Sequence, residues 1–239
     1  MKISGGKPAD YGQEIVKRRF RLTRDSVKLE GKKILDFGSG NGAQTVEFAN
    51  SDCTIFALDI NGDSLEVLKN IAVKEKYKDI HVIDYDADII PLKTNSIDLV
   101  ISYEVLEHVR NENESLSELY RVLKPGGEMV FSVPNKWWIF ETHGAYLPIL
   151  PWNRIPFFSW LPKFIYSKYA KARTYTKHSI KRIFERNGFS VINSIYITAP
   201  MDVVKNKLIK KILKETIFYG DKTICPFKST AILIHVKKM

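Results

Sequence analysis

The sequence is poor in the residues that would place it in several common classes. Only two cysteines occur among 239 residues, Cys53 in an apolar run and Cys225 in a late loop. Their spacing suits neither a metal knuckle nor a secreted disulfide scaffold, so a reducing compartment is expected. Lys, Pro or Asn interrupts every apolar stretch well short of the roughly 18 to 20 residues that cross a bilayer. The N-terminus lacks the apolar core of a signal peptide, and the chain reads as cytoplasmic. Internal repeats and low-complexity tracts are missing as well. Acidic residues are scarce in one region: residues 161–239 hold 4 Asp/Glu against 17 Lys/Arg, whereas residues 1–160 hold 23 against 20. The net charge of +10 therefore belongs to the C-terminal third. Such a field draws anions, whether nucleic-acid phosphates, phospholipid headgroups or an acidic metabolite, or serves only as a solubilising surface.

What is present fills a core. With 44% apolar residues the chain is long enough for one full domain. Residues 10–30 contain a basic lead-in helix whose apolar side is Ile15, Val16, Phe20 and Leu22. Residues 31–135 alternate apolar strands with amphipathic helices: KKILDF, CTIFALDI, DIHVIDYD, SIDLVISY and EMVFSVPN are the strands. A helix over 112–124 is expected to end at the turn Lys124-Pro125-Gly126-Gly127. Residues 136–175 break the rhythm and hold all four Trp and four of the ten Pro, as an insertion would. Residues 176–239 resume with a helix, a strand, a basic amphipathic segment from Met201 to Phe218 and a last strand. The pattern predicts an α/β, Rossmann-like, doubly wound sheet, mostly parallel and seven-stranded, with helices on both faces.

The chemistry concentrates where the first strand meets the following helix. Asp36-Phe37-Gly38-Ser39-Gly40-Asn41-Gly42 is a glycine turn that lets backbone approach a ligand at the carboxyl edge of a sheet. Glycine turns also serve plain packing, so the context decides. Asp59 ends the second strand, where a carboxylate can hold both hydroxyls of a ribose or else cap the next helix. The turn GSGNG is not the GxGxxG that seats a pyrophosphate, which argues against a dinucleotide.

These residues resemble the class I, S-adenosylmethionine-dependent methyltransferases, in particular the group with the type-11 domain, from Ile34 to about Pro134. The resemblance rests on DFGSGNG, Asp59 in ALDI, Asp86-Ala87 before Ile90-Pro91-Leu92, NSIDLVISYEVLEHV and LKPGGEMVFSVPN. It implies S-adenosylmethionine as cofactor and S-adenosylhomocysteine as product. Asp36, Gly38 and Gly40, with Ser39 and Asn41 of the same turn, would line the methionine end, and Asp59 would take the ribose hydroxyls. Ile60 would pack on the adenine or else in the core. Asp86 would accept from the adenine amino group beside the Ala87 amide or else serve a turn. Tyr103 would wall the sulfonium.

Methyl transfer is an in-line displacement, so alignment matters more than a strong base. If the acceptor is a hydroxyl, Glu104-Val105-Leu106-Glu107-His108 offers proton acceptors, with His108 first and Glu104 second, unless His108 caps a helix or packs beneath the pocket. The same segment is similar to the ExxEH pattern of ubiquinone-pathway O-methyltransferases and small-RNA 2′-O-methyltransferases. There both Glu and the His bind magnesium, and His143 would add a ligand here. Because the chain departs from those families elsewhere, no metal ligand is assigned. The aromatic insertion reads as a substrate lid. Together with the basic Met201–Phe218 segment, it suggests a small-molecule or lipid-linked acceptor and peripheral contact with an anionic membrane. An RNA acceptor is disfavoured because no RNA-binding module is appended, and nucleic acid is not the expected partner. A non-catalytic cofactor-binding domain is the remaining alternative, and the oligomeric state is not legible.

Overall fold

The structure, a computed structural model, describes residues 9–86, 89–143 and 156–239. In chain order the elements are α1 (Glu14–Arg24), β1 (Lys33–Phe37), α2 (Thr45–Phe48), β2 (Thr54–Asp59), α3 (Gly62–Lys74) and β3 (Ile80–Asp84). Then follow β4 (Ile97–Tyr103), α4 (Glu112–Val122), β5 (Leu123–Pro134), α5 (Lys163–Tyr169), α6 (Lys177–Arg186), β6 (Phe189–Thr198), α7 (Lys207–Glu215), β7 (Lys222–Thr223) and β8 (Ser229–Lys238).

The strands form one sheet in the order β3-β2-β1-β4-β5-β8-β6-β7. The first five run parallel; β8 pairs antiparallel with both β5 and β6. Strand order reverses between β1 and β4, and the crevice at the carboxyl ends of such neighbours is where open α/β sheets bind ligands. Successive residues of β1 feed opposite faces. Ile34 packs with Leu22 of α1, Phe48 of α2 and Leu68 of α3, whereas Leu35 packs with Leu116 and Leu119 of α4 and Ile180 and Phe184 of α6. Helices thus cover both faces, as doubly wound alternation requires.

The sheet departs from the sequence expectation in one strand. Seven were expected and eight form, because Lys222 and Thr223 pair with Ile197 and Tyr196 along the outer edge. Two residues carry no alternation from which a strand can be read. The helix expected over 112–124 ends at Val122, since Leu123 already pairs with Ile97, and Lys124-Pro125-Gly126-Gly127 becomes an irregular start to β5. The lead-in helix buries Arg18 and Arg19 alongside Val16 and Leu22. None of the described helices is long and apolar enough to cross a membrane.

Central burial sets the scale of stability. Phe131 in β5 is fully buried, edge-on to Phe184 of α6 with ring centroids 5.3 Å apart. Phe131→Ala should cost about 3–5 kcal/mol through lost transfer energy and an unfilled cavity. Urea-denaturation midpoints at constant slope will measure it.

Candidate active site

The turn after β1 is fastened to the end of β2. The Gly38 and Ser39 amides both donate to the Leu58 carbonyl, at 2.8 and 2.9 Å, and the Gly40 amide donates to Asp59 Oδ2 at 2.7 Å. Gly38 has φ +80° and Gly40 φ +53°, in the left-handed region where a side chain is strained. A Cβ on Gly38 would also come within 2.4 Å of Val105 Cγ2, so this glycine lets the loop after β4 approach. The Asn61 amide donates to Asp59 Oδ1 at 2.9 Å, so each carboxylate oxygen is oriented by one amide and keeps acceptor capacity. The cap of α3 is Asn61, which accepts from the Ser64 amide, so Asp59 is not the helix cap.

Around this cradle lie Ser39, Ile60 and Asp36. Ser39 Oγ is buried and has no hydrogen-bond partner among the described residues. Ile60 is 63% exposed beside Asp59, an uncovered apolar surface at the mouth of the turn. Asp36 is buried; its Oδ2 accepts from Thr45 Oγ1 at 2.7 Å. Burial pushes its carboxyl up to about 7; the Thr45 bond opposes this, the charge of Asp59 adds to it, and no cation offsets it among the described residues. The β3 end joins the same edge, since the Tyr85 amide donates to the Asp59 carbonyl, and Asp86 follows it, exposed. Ala87 lies outside the described residues. Asn41 holds the N-terminal chain over the turn: its Nδ2 donates to the Ala9 carbonyl at 3.3 Å, and the Tyr11 hydroxyl donates to its carbonyl.

Tyr103, the last residue of β4, has a different setting. Its ring stacks 6.5 Å from Phe48, its hydroxyl shares a 2.8 Å hydrogen bond with Thr23, and the Arg19 guanidinium lies 5.8 Å from its centroid. Burial, the main cause, raises its phenol above the usual range.

Beyond β4 the backbone turns sharply at Glu104, whose φ is +60°. Its Oε1 accepts from Ser132 Oγ at 3.0 Å and pairs with Arg19 at 3.0 Å. Glu107 is fully buried, and neither carboxylate oxygen has a hydrogen-bond partner among the described residues. His143 Nε2 lies 3.4 Å from Glu107 Oε1 and 3.9 Å from Glu104 Oε2. The His108 and His143 rings sit edge to face, 5.0 Å apart. Burial and the nearby Glu104 push Glu107 up to about 7, against the pull of His143. Burial alone would lower His143, but Glu107, Glu104 and Glu141 outweigh it and the net shift is upward. The potential ligand atoms of Glu107, His108 and His143 all lie within 4.8 Å of one another.

A family model described as a methyltransferase domain matches residues 28–225. The chain belongs to this methyltransferase-domain family. The ubiquinone biosynthesis O-methyltransferase of Salmonella newport is 31% identical over 127 residues, 52% of this chain and 52% of that protein. The one from Coxiella burnetii is 26% identical over 118 residues, 49% of this chain and 50% of that protein. The chain thus spans about half the length of the curated relatives it matches. A solved S-adenosylmethionine-dependent methyltransferase from Mesorhizobium loti superposes with a TM-score of 0.63 at 18% identity, covering 92% of this chain and 98% of that one. This methyltransferase domain thus has the same fold as that S-adenosylmethionine-dependent methyltransferase.

Several residues of the methyltransferase domain escaped the sequence reading because no local pattern marks their partners. Arg19 of α1 reaches Glu104. Arg173 Nη1 donates to the Val109 carbonyl at 2.7 Å and its Nη2 to the Arg110 carbonyl at 3.2 Å, clamping the loop that carries Glu107 and His108. Glu141 accepts from the His143 amide at 3.0 Å and from the Tyr166 hydroxyl at 3.1 Å.

Two outcomes test the cradle. Asp59→Ala should weaken S-adenosylmethionine binding by about 1–3 kcal/mol through unpaired ribose hydroxyls; unchanged affinity by calorimetry removes Asp59 from that role. A cationic donor near Asp36 binds best when that carboxyl is ionised. Since its value is about 7, affinity should rise with pH through neutrality and level off above it. Asp36→Asn should flatten the titration.

Proposed function

We propose that this chain transfers a methyl group from S-adenosylmethionine to a hydroxyl of a small, apolar or lipid-linked acceptor reached from a membrane surface. One observation carries the reading: the Gly40–Asp59 cradle and the Glu104/Glu107/His108/His143 cluster sit at the carboxyl ends of neighbouring strands. The bound cofactor supplies an electrophilic methyl already attached to its leaving group. The residues then have two tasks: to hold that donor and to orient the oxygen that attacks it.

On the donor side Asp59 would accept the ribose hydroxyls, and Ile60 would offer its exposed face to the adenine with Asp86 and Ala87 at its edge. Gly38, Ser39, Gly40 and Asn41 would line the methionine end, Ser39 Oγ gaining a partner and Asp36 a countercharge. Tyr103 would border the sulfonium through its ring, as its hydroxyl is engaged by Thr23.

On the acceptor side His108 and Glu104 are the residues read from the sequence as proton acceptors. In the structure they belong with Glu107 and His143. Two features fit a divalent cation: a fully buried carboxylate whose close charged neighbour among the described residues is His143 at 3.4 Å, and mixed imidazole and carboxylate donors within reach of one another. Glu107, His108 and His143 would hold it with Glu104 at the rim, although no metal ligand was assigned from the sequence. There it would lower the pKa of an acceptor hydroxyl.

The apolar and lipid-linked part rests on the insertion, where Phe140, Phe157 and Trp160 leave aromatic surface exposed. The ubiquinone-pathway names of the relatives support the same acceptor class.

Removal of divalent ions with EDTA should lower turnover on a phenolic acceptor by about 10–100-fold or more, with recovery on adding Mg²⁺ or Mn²⁺. Calorimetric binding of S-adenosylmethionine should not change. Turnover that survives chelation returns the cluster to proton acceptance by His108 and leaves methyl transfer standing.

A further inference from the structure

Helix α7 is amphipathic the wrong way round. A surface helix normally turns its apolar stripe to the core and its charges to water. Here Leu208, Ile209 and Ile212 share one side and are 67%, 51% and 51% exposed. Ile217, just beyond the helix, extends the stripe at 48% exposure. Lysines secure the other side. Lys210 pairs with Asp202 at 2.9 Å and Lys214 with Glu14 of α1 at 3.6 Å. Leu213 and Phe218, with Val204 before the helix, bring the segment into the small cluster around Trp138 and Met201.

The same lysines border a cleft of about 530 Å³ between α7 and α1, where Arg18, Lys207, Lys210, Lys211 and Lys214 face Glu215 and Asp221. Arg18 is 3% exposed, and its Nε has no hydrogen-bond partner among the described residues, although Asp221 lies 3.4 Å and Glu14 3.5 Å away. Glu215 is drawn toward Lys211 at 3.9 Å. Exposed Lys205, Lys207 and Lys211 therefore leave a cationic margin along the apolar stripe.

We propose that α7 docks this protein on an anionic phospholipid bilayer. Leu208, Ile209 and Ile212 enter the headgroup boundary, and the lysine margin with the adjoining cleft receives lipid phosphates. The features present favour this occupant over others. A second copy related by a twofold axis would set the same lysines against themselves. RNA would find phosphate contacts, but the stripe is aliphatic and Tyr219 is the one aromatic side chain among the described residues lining the cleft, too little for a run of stacked bases. A bilayer satisfies both halves at once, burying apolar side chains beside anionic headgroups.

Its position ties docking to the acceptor. Phe218, which follows α7, packs on Trp138 at the start of the insertion with centroids 6.1 Å apart. The helix would thus rest on lipid beside the insertion that receives the acceptor. This deepens the lipid-linked reading above and is tested without turnover, so either can fail while the other stands.

The test is flotation of the full chain with vesicles of phosphatidylglycerol and phosphatidylcholine, and with phosphatidylcholine alone. Binding should require the anionic lipid and weaken as salt rises. Lys207→Glu with Lys211→Glu should reduce partitioning about 25-fold or more, as about fivefold per lysine implies. Leu208→Ser with Ile209→Ser and Ile212→Ser should lower it independently at fixed charge. Circular dichroism and S-adenosylmethionine affinity of both variants should match the parent, neither set being part of the cofactor cradle. No binding to anionic vesicles, equal binding to neutral ones, or undiminished binding by both folded variants overturns the proposal. So does self-association or single-stranded RNA binding that these substitutions abolish while vesicles are ignored.

Discussion

The bond between the Gly40 amide and the Asp59 carboxylate is the constraint on which the rest of the site depends. It joins the turn after one strand to the end of its neighbour, so Gly40 and Asp59 cannot be positioned separately. Gly40 makes it from the left-handed region, and Gly38 in the same turn leaves room for Val105. Val105 in turn belongs to the loop carrying Glu104, Glu107 and His108. The turn after β1 and the 104–108 loop therefore share a packing contact at Gly38.

Buried charge is the second theme of this edge. An ion taken out of water is costly unless partners compensate, and removing one member of such a pair is worse than lacking both. Arg19 and Glu104 satisfy each other at 3.0 Å, and the Arg173 guanidinium rests on carbonyls of the 106–110 loop. Asp36 and Glu107 remain only partly compensated, and burial pushes both toward neutral pH. That uncompensated state suits a pocket that receives a cationic donor on one side and a cation or an acceptor proton on the other.

Much of the layout was legible in the sequence because parallel strands, glycine turns and strand-ending acids have local signatures. The β1 turn and Asp59 could be read as partners because each is marked by its own strand end. The eighth strand could not be read, since two paired residues carry no periodicity. Nor could Arg18 and Arg19 be placed inside, because basic residues on a lead-in helix read as solvent-facing until remote partners such as Glu104 and the Thr198 carbonyl appear. Glu141 was missed for the same reason: its partners Tyr166 and His143 lie within an insertion that has no repeating pattern. The amphipathic character of α7 was visible, but its outward orientation was not, since a helical wheel gives a stripe and not the side it faces.

His143 has a further consequence. Unlike Glu104, Glu107 and His108, it comes from the insertion, and its backbone is fastened through Glu141 to the Tyr166 hydroxyl of α5. His143 therefore joins Glu104, Glu107 and His108 only as far as the insertion holds it beside them. On the proposed function, selection for a different acceptor would redraw the insertion and retune this cluster together, while the strands that carry the proposed donor site stay as they are.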